Sequence, residues 1–272
     1  MLSPAKINLS LRVLSKRPDG FHEIDTLMTK LPGLADDVVI TPADAFSFTC
    51  SDPSLPTDNE NLVVKAVETL AKKSGEELPF QIHLEKHIPV GAGLGGGSSN
   101  AATTLLALNS QLETPLSAED LHELAAEVGS DVPFFLYGGA ARCTGRGEKI
   151  EAAPAPPDLP IVLFKPGFSV STPDAYANCL EAEELPGIRY DEYRYAGLKL
   201  VNDLEKSVFA KHRYLAELKD WLQNRRDTKA VLMSGSGSTI FAVLRPKGRP
   251  EGLINTAHKY FDSSLWTWHG TL

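Results

Sequence analysis

The sequence predicts an α+β fold in two parts. Three observations carry that expectation. The chain opens on strand-like alternation; strands and helical stripes then mix without strict βαβ order; and a proline-dense stretch, Ala153–Pro160 (APAPPDLP), interrupts the pattern. The parts are expected at residues 1–153 and 154–272. With 42% hydrophobic and 23% charged residues over 272 positions, the chain has material for a packed core and too little polarity for disorder.

From the N-terminus, Ala5, Ile7, Leu9, Leu11 and Val13 fall on one parity and Lys6, Asn8, Ser10 and Arg12 on the other. Period two means a half-buried strand, with Lys6 and Asn8 on one polar face about 7 Å apart. Pro18-Asp19-Gly20 is a turn signal. Apolar runs from Ile24, at Val38–Ile40 and at Phe46–Cys50 read as further strands. Leu62, Val63, Ala66, Val67, Leu70 and Ala71 form a helical stripe, with Asn59 as its expected N-cap. Phe80, Ile82 and Leu84 alternate as a strand. A glycine-rich loop over 91–97 precedes a helix at Ala101–Leu108. Ser117 and Asp120 resemble a capping box before Leu121, Leu124, Ala125 and Val128, and Gly129 closes that helix. The second part is expected to hold a strand at Ile161–Phe164 and helices near 174–184, 197–210 and 213–224. Strands at Ala230–Met233 and Thr239–Leu244 flank a second Gly/Ser loop, Ser234–Ser238.

Charge and cysteine use narrow the function classes. Lys and Arg number 27 against 35 Asp and Glu, giving a net charge of −8. That disfavours a nucleic-acid partner, which wants a basic face, while leaving room for a local phosphate site. Cys50, Cys143 and Cys179 are odd in number, widely spaced and without a CxxC pair, so neither a disulfide framework nor a structural zinc is expected. The start, MLSPAKINLSLRV, lacks the apolar run of a signal peptide, and no stretch suits a bilayer span. A cytoplasmic protein with no membrane partner is the expectation.

The most informative stretch is Pro89-Val90-Gly91-Ala92-Gly93-Leu94-Gly95-Gly96-Gly97-Ser98-Ser99, between an expected strand and an expected helix. Its glycines allow positive φ and close approach, its N–H groups can turn toward an anion, and the helix adds its positive end. Ser98 and Ser99 offer hydroxyls to phosphate oxygens or a magnesium ion. A flexible linker is the bland alternative, but a linker need not join a strand to a helix. Walker A fails because Gly97 is followed by Ser98 rather than Lys. A GxGxxG match at Gly91, Gly93 and Gly96 lacks a buried first strand before it. HRD, DFG and GxSxG are absent. His83-Leu84-Glu85 resembles the start of a zinc-deaminase motif, but the PCxxC that must follow is missing.

Three segments occur in order: Pro4-Ala5-Lys6-Ile7-Asn8, the Pro89–Ser99 loop, and Met233-Ser234-Gly235-Ser236-Gly237-Ser238. Together they resemble the motifs of the GHMP (galactokinase, homoserine, mevalonate, phosphomevalonate) kinase superfamily. RPDGFHEIDTL and GSDVPFFLYGGAA are similar to the branch that acts on a cytidine-diphosphate-linked methylerythritol. The resemblance covers about 1–150 and 160–245. It implies an N-terminal domain like ribosomal protein S5 domain 2, a ferredoxin-like C-terminal domain and an active site between them. It also implies ATP-dependent phosphorylation of the substrate's 2-hydroxyl, in the non-mevalonate route to isoprenoid precursors, with ATP and Mg2+ required.

Residue by residue, the resemblance makes Asp131 the base, although a carboxylate at that position could equally be an N-cap. It makes Lys6 the matching cation, against a solvated strand lysine, with Asn8 beside it toward the substrate. Phe21 and Tyr176 are expected to stack on cytosine and His22 to read its edge, against a plain turn histidine. Many family members have Tyr where Phe21 stands, so stacking survives and a phenol contact is lost. Asn61 and Lys86 match nucleotide-side positions, with surface roles left open, and Asn100 is placed toward ribose or phosphate. No acidic magnesium ligand is named, and the six histidines other than His22 read as ordinary. Two other readings stay open: a different GHMP kinase, which would have no use for a cytidine reader at DGFH, and an RNA-binding module on an S5-like fold, which the charge and the two glycine loops oppose.

Overall fold

The computed structural model describes residues 1–272. Its backbone is organised by two long antiparallel strands, β1 (Leu2–Lys16) and β2 (His22–Pro42), joined across the Pro18-Asp19-Gly20 turn. Asp19 closes the turn, accepting from the Phe21 N–H at 3.1 Å. The runs at Ile24 and Val38 are one strand rather than two. Pro32 and Gly33 do not end it because they sit, exposed, in an irregularity opposite Pro4/Ala5, where a missing ladder bond costs nothing.

β2 forks. Its Ile24–Thr29 part pairs with β5 (Ala140–Gly145), and its Asp37–Pro42 end pairs with β4 (Phe80–Glu85). β6 (Lys149–Ala153) continues one branch and β3 (Ser47–Cys50) the other. Four helices pack on this sheet: α1 (Leu62–Ser74), α2 (Gly96–Asn109), α3 (Ala118–Val128) and α4 (Val132–Leu136). Their apolar stripes meet Leu84, Val38 and Met28 in one core. α3 starts as expected, with the Ser117 hydroxyl accepting from the Asp120 N–H, and Gly129 follows its last residue.

The second sheet is antiparallel, in the order β10 (Thr228–Met233), β11 (Ile240–Leu244), β7 (Pro160–Lys165), β12 (Trp266–Thr271). β7, β10 and β11 carry near-continuous apolar runs because both of their faces are covered, whereas the edge strand β12 (WTWHGT) is only half-buried. Val162, Phe164, Val231 and Ile240 face α6 (Glu205–Lys211), α7 (Arg213–Gln223) and α8 (Pro250–Tyr260). Ile161, Leu163, Leu232 and Phe241 face Ala5, Ile7 and Leu9 of β1. Two of the three cores therefore run across the expected 153/154 boundary. So does a parallel pairing, where β9 (Leu198–Asn202) sets Val201 opposite Ser10 and Asn202 opposite Leu11 and carries β8 (Tyr193–Tyr195) on its far edge. The architecture is α+β. No helix is long and apolar enough to cross a membrane.

Several local expectations are corrected. The N-cap of α1 is Asn61, not Asn59: its Oδ1 accepts from the Val63 N–H at 3.0 Å. α2 begins at Gly96, inside the glycine loop, rather than at Ala101. The helix expected over 174–184 is the single turn α5 (Thr172–Tyr176), since Asn178 adopts φ +59 and breaks the repeat. The stretch 197–210 divides into β9 and α6, because Leu200, Val201 and Asn202 are all buried by strand neighbours. α8 and β12, after residue 245, were not anticipated.

Candidate active site

Residues 5–9 of β1 are all buried, so the alternation does not separate core from solvent as it does in a half-buried strand. Ala5, Ile7 and Leu9 enter the core, while Lys6 and Asn8, each 3% exposed, lie under the glycine loops. The loops therefore turn a polar strand face into the floor of a cleft of about 1140 Å³. On that floor the Lys6 ammonium donates to Asn8 Oδ1 at 2.7 Å and faces Asp131 Oδ2 at 3.4 Å. Asn8 Nδ2 donates to Thr26 Oγ1 at 2.8 Å, which in turn donates to the Ser10 carbonyl at 2.6 Å. This chain fixes the orientation of the Asn8 amide, and with it the direction of the ammonium. Asp131 stands at the N-cap position of α4 but makes no capping bond; its carboxylate is turned to Lys6 and the cleft.

The first glycine loop forms the wall beside this pair. The Lys6 N–H donates to the Leu94 carbonyl at 2.9 Å. Ala92 and Leu94 send their side chains into the core, so only their backbone can meet a ligand. α2 has no side-chain cap and no acidic residue in its first turn, and Gly96, Gly97 and Ser98 of that turn line the cleft. Unpaired N–H groups at a helix start form an anion site. Ser99 does not join it: the residue is fully buried, and its hydroxyl accepts from Ser3 Oγ at 2.8 Å. The helix turn carries Ser98 and Ser99 to different faces, which their adjacency in sequence concealed.

Below the loop lies a group the sequence reading did not single out. Asp36 is fully buried; its Oδ1 accepts from the His87 and Ile88 N–H groups at 2.7 and 2.8 Å, and its Oδ2 accepts from Asn100 Nδ2 at 3.0 Å and from Lys86. Lys86 is thus neutralised from below, and Asn100 is committed to Asp36 and Ser3. Asn61 is likewise committed to its cap and to the Pro56 carbonyl, although it borders the cleft. A carboxylate in the strand β2 was the available signal for Asp36.

The second loop, Ser234–Ser238, closes on the first. Ser234 Oγ donates to the Gly93 carbonyl at 3.0 Å, and the Thr239 N–H to that of Ala92 at 3.2 Å. Gly93 has φ +73, and a Cβ there would lie 2.2 Å from the Ser234 carbonyl oxygen, so the seam admits no side chain.

Phe21, His22 and Tyr176 line the other end of the cleft. The His22 and Tyr176 rings stack with centroids 5.2 Å apart, and the Arg146 guanidinium lies 4.8 Å over the Phe21 ring. Arg146 was absent from the sequence reading. Burial, with a smaller contribution from Lys16, holds the His22 pKa below its usual value, and burial pushes the Tyr176 phenol up. Every sequence-predicted site residue except Ser99 borders this one cleft. No cluster of three metal-ligating side chains occurs in it or elsewhere.

Comparison with known proteins agrees with this geometry. Residues 61–139 match the GHMP kinases N terminal domain and residues 193–263 the GHMP kinases C terminal domain. A 4-diphosphocytidyl-2-C-methyl-D-erythritol kinase of Geobacillus sp. (strain WCH70) is 41% identical over 271 residues, covering 96% of this chain and 93% of its own. A crystal structure of 4-(cytidine 5'-diphospho)-2C-methyl-D-erythritol kinase superposes with a TM-score of 0.78 at 35% identity, over 100% of this chain and 98% of that one. Mevalonate kinase of Methanococcus jannaschii, at 12% identity and a TM-score of 0.65 over 99% and 96% of the two chains, shares the fold. Motif, geometry and near-complete coverage coincide, and the chain belongs to the 4-diphosphocytidyl-2-C-methyl-D-erythritol kinase family of GHMP kinases.

Proposed function

We propose that the chain transfers the γ-phosphoryl group of ATP to the 2-hydroxyl of 4-diphosphocytidyl-2-C-methyl-D-erythritol, a step toward isoprenoid precursors. The observation that carries this reading is the Lys6–Asp131 pair, 3.4 Å apart, on the floor between an uncapped helix start and an aromatic pocket. Phosphoryl transfer asks for alignment and charge neutralisation more than for covalent chemistry. The first turn of α2 and its glycine loop cradle the phosphates. The aromatic end holds cytosine against Phe21 and the Tyr176–His22 stack. The substrate hydroxyl lies between, within reach of Asp131.

As that hydroxyl attacks phosphorus, its proton passes to the Asp131 carboxylate, the new O–P bond forms and the bond to the leaving diphosphate breaks. Lys6 stabilises the negative charge developing on the attacking oxygen, and Asn8 keeps the ammonium aimed at it. Mg2+ would be held chiefly by the nucleotide, with Ser98 the side chain on the loop that could offer it a hydroxyl, and it would supply neutralisation of phosphate charge. Lys86 and Asn100 shape the loop rather than grip the nucleotide. We place the reaction in the reducing cytoplasm, with which three free cysteines are in keeping.

The test is direct. Incubation with ATP, Mg2+ and the cytidyl substrate should yield a product heavier by one phosphoryl group, and CDP and CMP should compete. Phosphorylation of homoserine or mevalonate, with no competition by CDP, would overturn the reading.

A further inference from the structure

The segment Asn202-Asp203-Leu204-Glu205 borders none of the chemistry above, yet three of its residues grip elements that carry it. Asn202 is 3% exposed. Its Nδ2 donates to the Met233 carbonyl at 2.7 Å and to the Gly235 carbonyl at 2.8 Å, and its Oδ1 accepts from the Leu204 N–H at 3.0 Å. All three contacts are buried, and both amide hydrogens are used. Glu205 Oε1 accepts from the Met233 N–H at 2.8 Å, while its other oxygen pairs with buried Lys219. Asp203 reaches the other way, accepting from the Val13 N–H at 3.0 Å and from Arg12 at 2.9 Å, both on β1.

Met233 is therefore held at its N–H and its carbonyl, and Gly235 at its carbonyl, all from a segment paired to the strand that bears Lys6 and Asn8. Gly235 is where this matters. It has φ +56, and a Cβ there would lie 3.2 Å from both Lys6 Nζ and Asn8 Oδ1. No side chain therefore fits between its backbone and the pair that meets the reacting oxygen. Released from Asn202, the Gly235 carbonyl could turn toward the Lys6 ammonium and compete with Asn8 and Asp131 for it.

We infer that Asn202 is a positioning residue for phosphoryl transfer, holding the Gly235 carbonyl away from Lys6 and setting the distance between the second Gly/Ser loop and the Lys6–Asn8 pair. The inference rests on the kinase reading above. Asn202 acts only through Gly235 and Lys6, so its removal should slow the chemical step while leaving both ligand pockets nearly as they are.

The experiment is steady-state kinetics on the full chain with ATP and the cytidyl substrate, wild type first. No turnover by wild type overturns the kinase reading, and the inference with it. With wild type active, Asn202→Asp is compared; it keeps the shape and the acceptor for Leu204 but turns an oxygen toward two carbonyls. A misplacement near 1 Å can cost about a hundredfold, so kcat should fall by roughly ten- to a hundredfold, with both KM values within about threefold of wild type. Asn202→Ser, which can still donate one hydrogen bond, should recover part of the loss. Wild-type kcat in folded Asn202→Asp overturns the inference, as does a loss confined to KM. If neither variant folds, the wild-type Asn202 carboxamide 15N–1H signals decide. They should shift when a non-hydrolysable ATP analogue and the cytidyl substrate bind together; unchanged signals would overturn the inference.

Discussion

Lys6 and Asp131 come from positions 125 residues apart; Asp131 makes no capping bond, and the only other side-chain partner of Lys6 is Asn8, on the same floor of the cleft. Asp131→Asn keeps the shape and removes the proposed base. Turnover should fall by about 10²–10⁴-fold with ATP affinity little changed, as calorimetry beside kinetics would read, and Lys6→Met should cost a similar order. Both residues were legible because motif context selected them; alternation alone would have left Lys6 on a solvated face. Asp36 and Asn202 were not legible. Each is one polar residue among others in its strand, and what distinguishes it is which backbone groups from distant segments point at it. At the aromatic end of the cleft, His22 is held below its ordinary pKa of 6.5, chiefly by burial. The unfolded chain therefore takes up this proton more readily than the folded one. The contribution of the neutral ring to stability is complete above pH 6.5 and is lost as pH falls through the lower folded value. The KM for the cytidyl substrate should follow the same course, flat to below pH 6.5 and then rising. His22→Gln should abolish that rise, and a rise that persists in the variant would move the titration elsewhere.

The glycine loop and α2 act as one element, because the helix starts at Gly96 inside what reads as loop. Composition placed a helix only from Ala101, since glycine is a poor helix former; the start at Gly96 leaves its first, uncapped turn along the cleft. Two glycines in this element should fail differently when changed. At Gly95, φ is +69 and a Cβ would meet Lys6 Cγ and Phe135 Cζ, each at 2.9 Å. Those are side-chain atoms that can yield, so Gly95→Ala should fold, displace the Lys6 stem and lower kcat by about tenfold or more. At Gly93 the obstacle is the Ser234 carbonyl, which cannot yield. Gly93→Ala should part the two loops, so nucleotide affinity and melting temperature fall together. Equal behaviour of the two variants in calorimetry and kinetics would refute this division. The element boundaries that were misread, at 174–184 and 197–210, share a cause. Local composition suits a helix, but Asn178 at φ +59 stops one and burial of Leu200–Asn202 between neighbours imposes a strand on the other.

At the scale of the molecule, the proline-dense link marks a change of sheet, not an end of packing. β1 is the shared layer: its Ala5, Ile7 and Leu9 meet Ile161, Leu163 and Phe241, and its Leu11 and Val13 meet Phe164 and Trp221. A fragment of residues 1–153 would expose these contacts and lose the β9 pairing. It should not reach a stable fold, and the whole chain should unfold in one calorimetric transition. Two resolved transitions, or a fragment with native circular dichroism, would show that the halves are independent. Sequence reading found the α+β class because strand and helix signals are local; the continuity of the core is not, since it depends on which face of β1 meets which strand of the other sheet.

The pairing of the two lysines beside the glycine loop has a kinetic corollary. Lys6 faces Asp131 and Lys86 lies against Asp36, so neither projects an unbalanced field; the unpaired cations of the cleft, Lys16 and Arg146, line it with the aromatic group, and the chain as a whole carries −8. A polyanionic nucleotide approaching the loop end from solvent should therefore feel the net repulsion of the chain more than a local pull. Added salt shortens the screening length to about 10 Å at 0.1 M and should quicken encounter severalfold. Dissociation, governed by short-range bonds to the backbone, should barely respond. Stopped-flow binding across ionic strengths separates the two rates, and an association rate that falls with salt would mean that a local positive field outweighs the charge of the whole.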